Sequence, residues 1–132
     1  MSPAGSSLLL DTSVVIDHFR GDPRIREVLE NAAALYLPTV VLGELYYGAF
    51  RSAHREKHFE QVRLFLRAVI VLGTDAQTSE AYGRIRSELA QAGQPIPEND
   101  IWIAEVALQH GVPIATRDQH FGRVAGIEVR FC

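Results

Sequence analysis

Four acidic residues stand in this chain where an ordinary surface acid would not. Asp11 ends the apolar run Leu8-Leu9-Leu10, and Glu44 is the only charge between Thr39 and Arg51. A charge so isolated in an apolar helix is not part of a solvated face. Asp100 sits near the start of the segment ENDIWIAEVALQH. Wound at the helical repeat from Asp100, Ile103, Ala104, Ala107 and Leu108 share its side, while Glu105 and Gln109 fall opposite. Asp100 is therefore expected on a buried face. Asp118 arrives two residues after the short apolar run Val112–Thr116. A buried carboxylate costs several kcal/mol unless it is neutralised, paired or bound to a metal.

Four acids meeting in one pocket repel each other unless cations sit among them. Ligands that are all oxygen, with no matching histidine or cysteine set, favour a hard ion, Mg²⁺ or Mn²⁺. Such a site suits phosphodiester hydrolysis: the metal activates a water, orients the phosphate and stabilises the leaving oxygen. No side chain in the set is an obvious nucleophile, so a water is expected to attack. Thr12, Ser13, Asn99 and Thr116 can hydrogen-bond the ligand carboxylates or the waters of the metal. Taken singly, each acid has a plainer role. Asp11 can be a strand-end turn former, Glu44 the partner of an arginine, Asp100 a charge on a helix dipole and Asp118 a loop acid.

The elements that must position these residues alternate. Strands are expected at Leu8–Leu10, Ala34–Leu37, Val69–Leu72, Val112–Thr116 and Ile127–Phe131. Helices are expected from Thr12 or Ser13, either of which can cap, through Phe19. Others follow from Asp22-Pro23, from a Thr39 cap, across the basic stretch 51–67, from Asp75 to Gln91, and over 98–110 with Gly111 closing it. Short apolar strands alternating with helices predict a three-layer α/β/α domain with a mainly parallel central sheet. Ligands bind such sheets outside the carboxyl ends of the strands. Asp11 and Asp118 are placed at that edge, and Asp100 and Glu44 reach it if their helices border it.

Composition narrows the class. At 132 residues the chain reads as one domain, with residues 1–7 a loose small-residue tail. One cysteine, Cys132, excludes a disulfide framework. No apolar run approaches the ~18 residues of a membrane helix, and the start lacks the pattern of a signal peptide, so a cytoplasmic location is expected. The net charge of −3 decides nothing about nucleic acid, because local patches govern binding.

The pieces Leu10-Asp11-Thr12-Ser13, Leu42-Gly43-Glu44-Leu45, Asn99-Asp100 before an Ile-Ala helix, and Thr116-Arg117-Asp118 before His120-Phe121 run in order along the whole chain. In this the chain resembles the PIN-domain ribonucleases, and most closely the VapC toxins of bacterial toxin–antitoxin modules. The resemblance implies a PIN-like fold and an endoribonuclease that uses Mg²⁺ or Mn²⁺ on tRNA or mRNA. It implies that Asp11, Glu44, Asp100 and Asp118 hold the metal. It further implies a homodimer and a VapB-type antitoxin whose C-terminal segment blocks the site from a neighbouring groove. The alternatives are a PIN-like nuclease outside such a module and a non-catalytic RNA- or protein-binding domain. A haloacid-dehalogenase-like phosphatase is disfavoured, because Asp11 has no second aspartate two residues on.

The remaining polar and aromatic residues carry plainer expectations. Asp17 reads as a solvated helix residue, and His120 as a surface group beside the Phe121 anchor. Arg117 reads as a phosphate contact or a simple surface charge. The basic stretch 51–67, interleaved with Glu56 and Glu60, reads as a solvated face. Tyr46, Tyr47 and Phe50, at helical spacing, read as core rather than as a groove or dimer face.

Overall fold

A computed structural model describes residues 6–132; of the expected tail, residues 1–5 lie outside the described residues. Ser6 already takes part in the fold, its carbonyl accepting from the Ala33 N–H at 3.3 Å. The elements run β1 Leu8–Leu10, α1 Thr12–Phe19, α2 Pro23–Glu30, β2 Leu35–Pro38, α3 Thr39–Arg51 and α4 Arg55–Leu66. They continue with β3 Ile70–Leu72, α5 Ala76–Gln91, α6 Glu98–His110, β4 Ile114–Thr116, a 3₁₀ turn Gln119–Arg123 and β5 Val129–Phe131. No helix among the described residues is long and apolar enough to cross a membrane.

The strands lie in the order β3-β2-β1-β4-β5, and each pairing is parallel. All three residues of β1 and all three of β4 are buried. A strand buried on both faces needs helices on both sides of the sheet, which gives the expected three layers. From β1 the chain winds one way through β2 and β3, then returns to build β4 and β5 on the other side. The seam between β1 and β4 is thus the topological switch point, where the connections diverge and leave a crevice at the carboxyl edge. The register across it, Leu9 opposite Ile114 and Leu10 opposite Ala115, brings Asp11 beside Thr116.

Local signals set most helix ends. Asp22 caps α2 with Pro23 in its first turn, and Asp75 forms a capping box with Thr78 at the start of α5. Gly111 closes α6 at φ 64, a left-handed conformation that suits glycine. Two capping expectations are corrected. α1 is capped by Asp11 rather than by Thr12 or Ser13, its carboxylate accepting from the Val14 N–H. α3 begins directly after Pro38, and Thr39 makes no capping bond.

The expectation for the far face of α6 also needs correction. Ile101, Ile103, Ala104, Val106 and Ala107 are buried, but so is Glu105, at 2% exposure. A single buried stripe assumes solvent on the other side of the helix. Here α5 packs against that side, with Tyr82 stacked on Trp102 at 4.0 Å. Gln109 faces α5 too, donating to Asp75 at 2.9 Å and accepting from the Thr78 hydroxyl. Glu105 finds less: its Oε1 has no hydrogen-bond partner, and burial raises its pKa against the weaker pull of Arg84. A raised carboxylate pKa means stability that is full below the unfolded value and lost as pH rises through the folded one. Glu105→Leu is expected to stabilise the protein by about 1 kcal/mol at pH 8 and by less at pH 5. Melting curves at the two pH values test this, and a variant that melts lower at pH 8 counts against it.

Candidate active site

The crevice at the β1–β4 seam is built around one hydroxyl. Thr116, fully buried at the end of β4, donates to the Asp11 carboxylate and accepts the backbone N–H of Asp118 at 2.9 Å. Asp11 also accepts from Ser13 Oγ at 2.9 Å and from the Val14 N–H at 3.0 Å. Its side chain is therefore fixed by the strand register and the first turn of α1 together. Burial pushes the Asp11 pKa up, the three hydrogen bonds oppose this, and the charge of Asp118 adds to the rise.

Asp118 caps the 3₁₀ turn by accepting the His120 N–H at 2.9 Å. Phe121, fully buried next in the chain, pins that turn to the core. Asp100, in the first turn of α6, faces the same space. His120 Nδ1 lies 3.0 Å from Asp118 Oδ1 and 3.6 Å from Asp100 Oδ2. One ligand atom from each of Asp100, Asp118 and His120 falls within a 4.8 Å group. Burial raises the Asp100 pKa to about 6, helped by the charges of Asp118, Asp11 and Glu44 and opposed by His120. All three other acids thus act on Asp100, with Glu44 the weakest. Glu44 stands at the margin, its Oε1 accepting from Asn99 Nδ2 at 3.0 Å.

The structure therefore brings Asp11, Asp100 and Asp118 together, with Glu44 beside them. Of the four polar residues expected to support them, Ser13 and Thr116 bond Asp11 and Asn99 bonds Glu44. Thr12 touches none of the acids, and its buried hydroxyl has no partner. The donor set fits a divalent cation. Its carboxylates are partly or wholly buried, and burial together with the charges of neighbouring acids raises the pKa of Asp11 and Asp100. Arg117, adjacent to Asp118, does not neutralise them.

Arg117 turns the other way, pairing with Asp17 at 2.8 Å and Asp22 at 2.9 Å. This corrects two expectations: Arg117 is not a free surface charge, and Asp17 is not simply solvated. The pair ties the loop carrying Asp118 to α1 and to the start of α2. Periodicity within α1 held no sign of it, because Arg117 comes from 100 residues further on. His120 is corrected as well, from a surface group to one that faces two acids. A signal was present: an aspartate that opens a tight turn brings the residue two places on back over its own carboxylate.

Next to Glu44 lies a groove of about 340 Å³ between α1, α3 and α4. Ile16, Phe19, Leu45, Ala49 and Val62 give it an apolar lining, and Arg20 and Lys57 add positive charge. Further along α3, Tyr47 and Phe50 are 63% and 56% exposed, contrary to the expected core placement. Tyr46 is partly buried against the core, as expected, while Tyr47 and Phe50 face outward. There they meet arginines: Arg51 lies over Tyr47 at 5.3 Å and Arg55 over Phe50 at 5.4 Å. Most of the basic stretch is exposed, as expected for a solvated face.

Comparison with known proteins places the family. A family model described as PIN domain matches residues 8–127. The chain is 34% identical over 122 residues to the tRNA(fMet)-specific endonuclease VapC of Shigella flexneri, covering 90% of this chain and 92% of that protein. It is 31% identical over 124 residues to ribonuclease VapC2 of Haemophilus influenzae, with the same coverage. Among solved structures, the DNA-bound VapBC complex of Salmonella typhimurium contains a chain that superposes with a TM-score of 0.88 at 32% identity. That match covers 95% of this chain and 97% of the other.

Proposed function

The chain belongs to the PIN-domain family, and from that premise we propose that it is a metal-dependent endoribonuclease acting as the toxin of a type II toxin–antitoxin pair. The observation that carries the reading is the convergence of Asp11, Asp100 and Asp118, drawn from β1, α6 and the turn after β4, on one partly buried crevice. Asp11, Asp100 and Asp118 hold Mg²⁺ or Mn²⁺, with Glu44 completing the negative surround. Bound there, the ion supplies a reactive water at neutral pH and neutralises charge on the phosphate.

The remaining work belongs to the chain. Thr116 holds Asp11 and the Asp118 backbone in one hydrogen-bonded unit, so the two carboxylates keep a fixed separation. Asn99 orients Glu44 toward the same space. The Arg117 pairs anchor the Asp118 loop, which matters because small misplacements of reacting groups cost large factors in rate. RNA is the substrate, and tRNA is the class to test first, given the name of the Shigella relative.

A VapB-type antitoxin is the partner, as in the solved VapBC complex. We assign its C-terminal segment to the groove beside Glu44, where an apolar stripe can cover Phe19, Leu45 and Val62. A homodimer of the toxin belongs to the same reading, and the mass of the purified protein tests it. Introducing a charge on the exposed rim of the groove, Gly48→Glu, where a side chain meets open space, is expected to weaken the antitoxin complex by about 10²-fold or more, since the bound segment would bury that charge. The variant should still fold and cleave. Retained tight binding would remove the groove from the assignment.

The direct test of function is purified protein, freed of antitoxin, against total RNA with Mg²⁺, with Mn²⁺ and with EDTA. Cuts at a few positions that vanish in EDTA are expected. Cleavage that persists in EDTA, or none in either metal, would overturn the reading.

A further inference from the structure

We propose that His120 Nδ1 is itself a ligand of the catalytic divalent ion, beside Asp100 and Asp118, so that the centre is a mixed oxygen–nitrogen set and not an all-carboxylate one. The inference rests on the reading of the site as a divalent-metal centre. Three observations carry it. First, Nδ1 is 3.0 Å from Asp118 Oδ1 and 3.6 Å from Asp100 Oδ2, and all three atoms fall within the 4.8 Å group. In an octahedron with bonds of about 2.1 Å, neighbouring ligands are about 3.0 Å apart and opposite ones about 4.2 Å. The observed spacings lie within that range.

Second, Nδ1 is buried yet makes no aligned hydrogen bond with either carboxylate. Asp118 Oδ1 is already engaged by the backbone N–H of His120. An imidazole nitrogen held close to two carboxylates without hydrogen-bond alignment is placed as a third donor to a shared cation. Third, the ring position is set in advance. The Asp118 cap fixes the His120 backbone, and the neighbouring Phe121 is fully buried, so the turn cannot swing away without opening the core.

A nitrogen ligand changes which ion the site prefers. Carboxylate and water suit Mg²⁺, whereas imidazole strengthens binding of the first-row transition ions. The chain should therefore discriminate between Mn²⁺ and Mg²⁺ through His120.

The test uses the full chain freed of antitoxin, loaded with less than one equivalent of Mn²⁺ and examined by pulsed electron paramagnetic resonance. A directly bonded imidazole nitrogen couples to the manganese spin, and ¹⁵N-labelling of histidine alone shifts that coupling. The chain has five histidines, so His120→Gln assigns the signal, with circular dichroism as the check on folding. The expected result is a histidine nitrogen coupling in the native protein that is lost in His120→Gln. Mn²⁺ affinity should fall about 10- to 100-fold in the variant, while Mg²⁺ affinity changes less than about three-fold. Mn²⁺ bound without histidine coupling in the native protein, or coupling that survives in the variant, overturns the proposal and leaves the metal-nuclease reading intact. The native labelling result stands even if the variant does not fold. No Mn²⁺ binding at all overturns both.

Discussion

Asp100→Asn is expected to remove most RNA cleavage and at the same time to raise the melting temperature of the metal-free protein at pH 7.5. The two effects share one cause. Asp100 is held near Asp118, Asp11 and Glu44, and its pKa is raised to about 6, first by burial and then by those charges. For an acid with a raised folded pKa, the stability contribution is complete below the unfolded value of 3.8. It is lost as pH rises through about 6. At pH 7.5 the metal-free protein therefore carries an unfavourable charge that asparagine lacks. The shift corresponds to about 3 kcal/mol at most. Since the side chain keeps some contact with water, a gain of about 1–2 kcal/mol is expected, or roughly 3–8 °C for a chain of this size.

The advantage of the variant should shrink toward pH 4, where the native carboxylate is protonated too. Added Mg²⁺ should reverse the order at pH 7.5, stabilising the native protein by mass action and the variant little. Cleavage should fall by roughly 10³-fold, because several kcal/mol of charge stabilisation goes with the ligand. A metal-free variant that melts below the native protein at pH 7.5 would show that Asp100 is not a repelled member of the cluster. Normal cleavage would remove Asp100 from the metal site.

Asp11 should separate chemistry from architecture by a different route. Asp11→Asn is expected to lose about 10³-fold in cleavage with little change in melting, because the amide oxygen can still accept from Val14 at the Oδ1 position while the amide nitrogen takes the Oδ2 position and donates to Thr116 Oγ1. Asparagine is as good an N-cap as aspartate. Asp11→Ala should lose as much activity and also melt about 5–10 °C lower. It removes the cap of α1 and leaves the buried Thr116 hydroxyl without its acceptor, together about 1–3 kcal/mol. If alanine and asparagine melted alike, the hydrogen bonds to Asp11 would carry no weight in the fold. If asparagine cleaved normally, the strand-end acid would be only a cap.

Much of this fold could be read from the chain because its signals are local. Leu8-Leu9-Leu10 and Ile114-Ala115-Thr116 are continuous apolar runs, and such runs signal strands buried on both faces. Their placement at the carboxyl edge follows from Asp11 and Asp118 standing directly after them. Glu44 was visible as a lone charge in an apolar helix. What stayed hidden depends on partners far away in sequence. Glu105 was placed toward solvent because α6 alone shows which face is more apolar, not that α5 covers the other. The pairs of Arg117 with Asp17 and Asp22 span the domain. The exposure of Tyr47 and Phe50 reflects how little of α3 the sheet can cover. His120 was undervalued for another reason: an all-oxygen ligand set accounted for the chemistry without it.

The seam between β1 and β4 has a consequence in time. Asp11 and Thr116 are 105 residues apart along the chain, and Thr116 is also what holds the Asp118 backbone. Domains begin to fold as they emerge during synthesis, so β1 can pair with β2 long before β4 exists. Until β4 is made and inserted beside β1, the growing chain holds Asp11, Glu44 and Asp100 but lacks the fourth acid and the hydroxyl that aligns the first. A ribosome stalled short of that insertion is expected to carry a polypeptide whose site is not yet assembled. On the proposed reading, cleavage is expected only once β4 and the turn after it have taken their places.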